Sequence, residues 1–161
     1  MKRSTVVLAV ILLLLVTFAG LFLIGGTLSA KVTSVTAPAS SHPEAFAAIR
    51  KVLSANAAPQ RFVAEIPSDI DACRLEDVTI TLSNRGLFPA EWLSVEAEGT
   101  QGDIAVYSLS GEGSTVGARS MATLNLKFIS TANAQGPRTF HIQYYVYGMK
   151  RSVTVRETPD D

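Results

Sequence analysis

Two histidines, one cysteine and a short run of carboxylates are the side chains of this 161-residue chain whose types could do chemistry. His42 stands in Ser41-His42-Pro43-Glu44, and His141 in the alternating run TFHIQYYVY at 139–147. A zinc centre needs three or four convergent nitrogen, sulfur or carboxylate ligands, and neither histidine has them at a recognisable spacing. A serine-type triad through His141 would need partners that no motif supplies. Cys73 has no second thiol with which to form an intrachain disulfide or a CxxC redox pair. Its two readings are a small buried residue and an intermolecular disulfide. The stretch SDIDACRLED at 68–77 gathers Asp69, Asp71, Glu76 and Asp77. Such carboxylates either collect Ca²⁺ or simply face water, and the ligand spacing and glycine of an EF-hand loop are missing. Gly111, Gly113 and Gly117 follow a strand with no helix and no GK[ST] after them, which reads as a loop and not as a phosphate cradle. No catalytic residue, metal or cofactor is therefore expected, and a hydrolytic enzyme is the weakest of the function classes.

One group of residues has the chemistry of recognition. In the run at 139–147, Phe140, Ile142, Tyr144 and Val146 share one strand parity, and His141, Gln143, Tyr145 and Tyr147 share the other. Solvent-facing tyrosines bury area while their hydroxyls keep a hydrogen bond, so they are enriched at interfaces. His141, Tyr145 and Tyr147 form the candidate partner-binding surface. Trp92 joins them by the parity of its own strand, unless a bulge draws it inward. The competing reading is that a neighbouring strand or a short helix covers this face.

The elements that would position these residues are strands. RFVAEI at 61–66 predicts a first strand. EDVTITLS at 76–83 turns Val78, Ile80 and Leu82 inward, and Asn84-Arg85-Gly86 closes it, since Asn and Gly accept positive φ. EWLSVEAE at 91–98 puts Leu93, Val95 and Ala97 inside. DIAVYSL at 103–109 is ambiguous in parity. ATLNLKF at 122–128 faces Leu124, Leu126 and Phe128 inward, and SVTVR at 152–156 follows the tyrosine strand. Seven short strands over about a hundred residues, with no helices between them, predict an all-β, immunoglobulin-like seven-stranded sandwich.

Ahead of the sandwich, Lys2 and Arg3 precede the uncharged stretch Thr5 to Ile24. As a helix that stretch would be about 30 Å long and match a bilayer core. A signal peptide's apolar region is usually about 7–15 residues, which favours an uncleaved anchor. Residues 28–30, LSA, offer the alternative of cleavage after Ala30 and a secreted, soluble ligand-binding sandwich. The positive-inside bias puts the N-terminus in the cytoplasm and the rest outside.

The reading is thus a signal-anchor or transmembrane segment at 1–30, a stalk at 31–59 with a short amphipathic helix at 43–55, the sandwich at 60–157, and an acidic tail at 158–161. The helix would start with a capping box at Ser41 and Glu44. Its stripe of Phe46, Ile49, Val52 and Leu53 must rest on the sandwich, on the membrane surface or on a partner. Lys+Arg and Asp+Glu both number 14, which gives no global attraction to nucleic acid. The expected partners are the membrane, through residues 5–24, and a cell-envelope protein; no small-molecule substrate is indicated.

DVTITLSNRG, VGARSMATLNLKF and GPRTFHIQYYVYG, in that order, resemble the strand-and-turn pattern of the CARDB type of bacterial and archaeal adhesion module. LSNRGLFPAEWLSVEAEG with GARSMATLNLKF is also similar to type 2 late-embryogenesis-abundant, or WHy-like, domains, although their Asn-Pro-Asn is Asn84-Arg85-Gly86 here. Both resemblances span roughly residues 75–150 and imply non-catalytic binding or structural roles. Neither supplies site residues. Phe140 replaces the tyrosine of the immunoglobulin tyrosine corner.

Overall fold

In a computed structural model, which describes residues 3–24, 28–63, 65 and 67–158, the chain forms two packed antiparallel sheets. The first carries strands β1 (Leu28–Pro38), β3 (Cys73–Asn84), β6 (Met121–Thr131), β5 (Asp103–Ser110) and β2 (Gln60–Arg61), side by side in that order. The second carries β4 (Glu91–Glu98), β7 (Thr139–Val146) and β8 (Met149–Arg156). With the two-residue β2 set aside, this is the strand arrangement of a constant-type immunoglobulin sandwich.

The strand that fills the first place in that arrangement is not the one the sequence suggests. Residues 31–38, expected to be stalk, belong to β1, which pairs with β3 without interruption from Leu28↔Asn84 to Pro38↔Arg74. Its small and polar residues, LSAKVTSVTAP, hide the alternation because an edge strand buries few side chains fully. The expected strand at 61–66 reduces to Gln60–Arg61 within β2; Ala64 and Ile66 lie outside the described residues. Gln60 still joins the sheets: its side-chain amide accepts from Ala97 N–H and donates to Ala97 C=O.

The helix α2 (Pro43–Ser54) agrees with the expected 43–55, and Pro43 occupies its first turn. The capping box does not form. Ser41 ends a 3-10 turn at Ala39–Ser41, so His42 precedes the helix, and it makes no side-chain cap bond. Phe46, Ile49 and Leu53 are buried with Cys73, Leu75, Ile104, Ala105 and Ile129 in a second core. The stripe therefore rests on the outer face of the five-stranded sheet. This also explains the ambiguous parity of β5: Val106 faces the central core and Ile104 and Ala105 belong to the second one, so both faces of the strand are apolar.

Between the sheets, Val78, Ile80, Leu82, Leu93, Val95, Leu124, Leu126, Phe128, Phe140 and Ile142 fill the central core as their parities require. The corner after β3 works differently from expectation. None of Asn84, Arg85 and Gly86 has positive φ. Asn84 is buried, its side chain accepts from Gly86 N–H at 2.9 Å, and it donates to the carbonyls of Phe88 and Val116.

Helix α1 (Arg3–Ile24) is apolar around its circumference, with Val6 through Phe18 exposed. Side chains are described for its residues 6–20, roughly 22 Å at 1.5 Å per residue. Among the described residues no helix is long and apolar enough to cross a membrane. The expected span of 5–24 runs beyond the described side chains at both ends. Lys2, and Pro159 to Asp161 of the expected tail, lie outside the described residues.

Two cores make two stability predictions. Leu126→Ala or Ile142→Ala should cost about 2–5 kcal/mol and Phe46→Ala about 3–5 kcal/mol in denaturant unfolding. The exposed Thr123→Ala should stay within about 0.5 kcal/mol. An unchanged midpoint for Phe46→Ala would mean that α2 is not docked.

Candidate functional site

The expected recognition surface lies on the outer face of the three-stranded sheet, which α2 leaves uncovered. Strand register divides its residues into two places. His141 lies opposite Glu96 and Thr154 in mid-sheet. Its Nε2 lies 3.0 Å from Glu98 Oε1, and its Nδ1 lies 3.1 Å from the Thr154 hydroxyl. Together with Ser94, Gln143 and Ser152, it makes this part of the face polar.

The aromatics are at the end of the sheet near Leu28. Tyr145 lies opposite Glu91 and Lys150. A bulge between Glu91 and Ser94 does occur, and it leaves Trp92 outward and 70% exposed, with φ +56. Glu91, Trp92, Tyr145 and Gly148 line a shallow hollow. Tyr147 turns over the edge, where its ring meets Phe88 edge-on at 4.5 Å. The four candidates are thus one polar residue at the centre of the face and three aromatics at one end.

The acidic stretch does not converge. Asp69 Oδ1 accepts from Asp71 N–H, Asp77 faces Lys127 at the surface, and Glu76 points into the sandwich. Among the described residues no group of three or more His, Cys, Asp or Glu side chains is placed to hold a metal ion. Cys73 is buried in the second core, and burial, then the Asp69 charge, push its thiol pKa up.

Glu76 belongs to a cluster that the sequence reading missed. Arg138, only 2% exposed, lies just before β7 at the end of the sandwich opposite Leu28. Its Nη1 and Nη2 donate to Glu76 at 2.7 and 3.0 Å; Nε and Nη2 donate to Asp103 at 2.9 and 2.7 Å. Ser130 and Glu157 accept at 3.3 and 3.4 Å, and the guanidinium lies 4.3 Å from the Phe128 ring centre. Parity carried the signal: Arg138 continues the inward series of Phe140 and Ile142, and Glu76 that of Val78 and Ile80. A cleft lined by Ser34, Arg74 and Gly136 opens over the cluster. Every guanidinium N–H of Arg138 is already held by protein oxygens, so Arg138 ties strands together; beside it Arg74, 4.0 Å from Glu76, has a buried Nε with no hydrogen-bond partner among the described residues.

Burial alone would raise the Asp103 carboxyl. Hydrogen bonds from Arg138, from Thr100 N–H and from Ser130, with the Arg138 charge, outweigh it and hold the pKa below the ordinary value. Burial would likewise lower the Arg138 pKa, but bonding to Asp103 and Glu76 holds it above its usual range.

No family model matches the chain, and no curated protein does. Among solved structures, 27 chains match. The GAE domain of yeast GGA1 is 12% identical, with TM-score 0.39, over 62% of this chain and 100% of that one. A FixG-related protein from Vibrio parahaemolyticus is 10% identical, with TM-score 0.34, over 80% of this chain and 94% of that one. An uncharacterised β-sandwich protein from Clostridium difficile is 9% identical, with TM-score 0.30, over 79% and 84%. Likenesses at these scores carry nothing about family or function. The sandwich is established by the chain's own topology, and the CARDB and WHy-like resemblances are retained only as far as that sandwich.

Removing one partner of a buried ion cluster leaves charge uncompensated, so Arg138→Met should cost about 3–5 kcal/mol. Asp103 gives the pH dependence. Its folded pKa is lower than its unfolded one, so its contribution is full at neutral pH and is lost as pH falls below about 4. Asp103→Asn should lower stability at pH 7 and flatten the acid limb of a stability–pH profile. Parallel profiles for the two proteins would contradict this.

Proposed function

We propose that the chain is a bitopic, membrane-anchored protein whose β-sandwich lies outside the cytoplasm and serves a structural or protein-binding role in a cell-envelope assembly. The observation that carries this reading is the place of Leu28. It lies four positions after the last residue of α1, is buried in the central core, and donates its N–H to the Tyr144 hydroxyl at 3.3 Å. The uncharged stretch at 5–24, an apolar α1 and a strand that starts this soon after it form one continuous anchor and domain.

The same observation counts against the secreted alternative. Cleavage after Ala30 would remove the first three pairs of β1, Leu28↔Asn84, Ser29↔Ser83 and Ala30↔Leu82, and with them a buried core residue. The protein-binding part of the proposal is supported by the uncovered face of β4, β7 and β8 around His141, where polar side chains stand in register across three strands. Nothing in the constellations described above favours an enzymatic reading over this one.

In its native cell the intact chain is expected to stay with the membrane fraction through high-salt and carbonate washing. Mass measurement of its N-terminus should show residues 1–30 still attached. A released chain beginning at Lys31 would overturn the anchored reading in favour of the secreted one.

A further inference from the structure

The sandwich has two unlike ends. Eight large apolar side chains outside α1 are exposed among the described residues: Val35, Val63, Leu87, Trp92, Met121, Tyr145, Tyr147 and Met149. The last six share one end. Register fixes this: Met121 pairs with Ser83 beside the Leu28↔Asn84 pair, Val146 pairs with Met149 across the final turn, and Tyr145 lies opposite Glu91. Leu87 belongs to the corner held by Asn84, and Tyr147 meets Phe88 in that corner.

Backbone strain gathers at the same end. Among the described residues, four other than glycine have positive φ: Asn56, Trp92, Arg119 and Tyr147. Three of them are at this end, and two are bulky aromatics, for which the left-handed region is costly and rare. Trp92 is 70% exposed, and Tyr147 is half exposed with its ring against Phe88.

Charge at this end is mixed, with cations in the majority. Arg85, Arg119 and Lys150 lie in or beside its loops and turns. Two carboxylates stand among them: Glu91 lines the hollow with Trp92 and Tyr145, and Glu112 accepts from Val95 N–H at 2.9 Å.

Covalent reach states what faces this end. The four steps from Ile24 to Leu28 span at most about 14 Å. Leu28 pairs with Asn84 at this end, so the close of the apolar helix lies within that reach of this end of the sandwich and not of the Arg138 end.

From these observations we infer that the Leu28 end of the sandwich rests in the headgroup layer of the bilayer, with Trp92, Tyr145 and Tyr147 at the boundary of the acyl chains and Arg85, Arg119 and Lys150 at lipid phosphates. Indole and phenol rings prefer this layer because their bodies are apolar and their N–H and O–H groups keep polar partners. Cations near an anionic surface add attraction. The inference rests on the anchored reading above and deepens it: there is no stalk, and the domain stands directly on the membrane with Arg138 and the cleft over it at the far end.

Trp92 is the single tryptophan of the chain, so its emission reports on this contact. The full-length protein is reconstituted alone into phosphatidylcholine–phosphatidylglycerol vesicles and purified by flotation. Trp92 should lose most of its emission when the lipids carry bromine near the glycerol end of the acyl chain, and little when iodide is added to the buffer. In the variant Trp92→Phe with Gln101→Trp the reporter moves to an exposed turn at the far end, and the pattern should reverse. Protein that floats with the vesicles while iodide quenches Trp92 and brominated lipid does not keeps its anchor and overturns the contact. Shielding of Trp92 from both quenchers would mark a second copy of the chain on this surface, and overturns it too. Protein that fails to float overturns the anchored reading itself.

Discussion

The β1–β3 ladder is the constraint on which the rest of the structure depends. Eleven consecutive pairs, from Leu28↔Asn84 to Pro38↔Arg74, take the chain from one end of the sandwich to the other. At the start, Leu28 enters the core and its N–H reaches Tyr144 of the opposite sheet. At the finish, Pro38 delivers the chain to a 3-10 turn and then to α2, which lies back over β5 and covers the part of the outer face of the five-stranded sheet around Leu75, Ile104 and Ile129. Without this ladder the first sheet would lose a full-length edge strand, and α2 would lose its starting point.

The far end is closed by chemistry of another kind. Arg138, from the approach to β7, holds Glu76 of β3, Asp103 of β5, Ser130 of β6 and Glu157 beyond β8. Burying these charges has a large desolvation cost, which the paired geometry offsets, so such a cluster adds less to net stability than its bond count suggests. What it does impose is register, because a one-residue slip in β3 or β7 would turn Glu76 or Arg138 outward and leave its partners bare. The sandwich is thus interlocked at both ends, by Leu28 with Tyr144 and by Arg138 with its carboxylates.

Much of this was legible in the residues. The alternation in β3, β4, β6 and β7 gave the inward faces correctly, and the spacing of Phe46, Ile49 and Leu53 gave α2. What was not legible has physical causes. β1 is an edge strand rich in Ser, Thr and Ala, so its burial pattern is shallow and its composition resembles a linker. Asn84 closes its corner with side-chain hydrogen bonds, which spacing alone does not distinguish from a positive-φ turn. Arg138 was not singled out because it follows Gly136 and Pro137, ahead of the alternating run, although its parity with Phe140 points inward. The candidate surface was legible in kind but not in arrangement: the bulge at Glu91–Ser94 and the edge position of Tyr147 separate the aromatics from His141.

Structure and proposed function meet in β1, since the strand that completes the sheet starts four positions after the end of an apolar helix. Hydrogen exchange along residues 28–38 of the full-length chain tests this most directly. In an antiparallel edge strand every second amide bonds to its neighbour, and those amides should be protected to the level of β3, alternating with amides that exchange quickly. Uniformly fast exchange from 28 to 38, with β3 and β6 still protected, would contradict the account, because the segment would then be a tether and the sandwich would not depend on it.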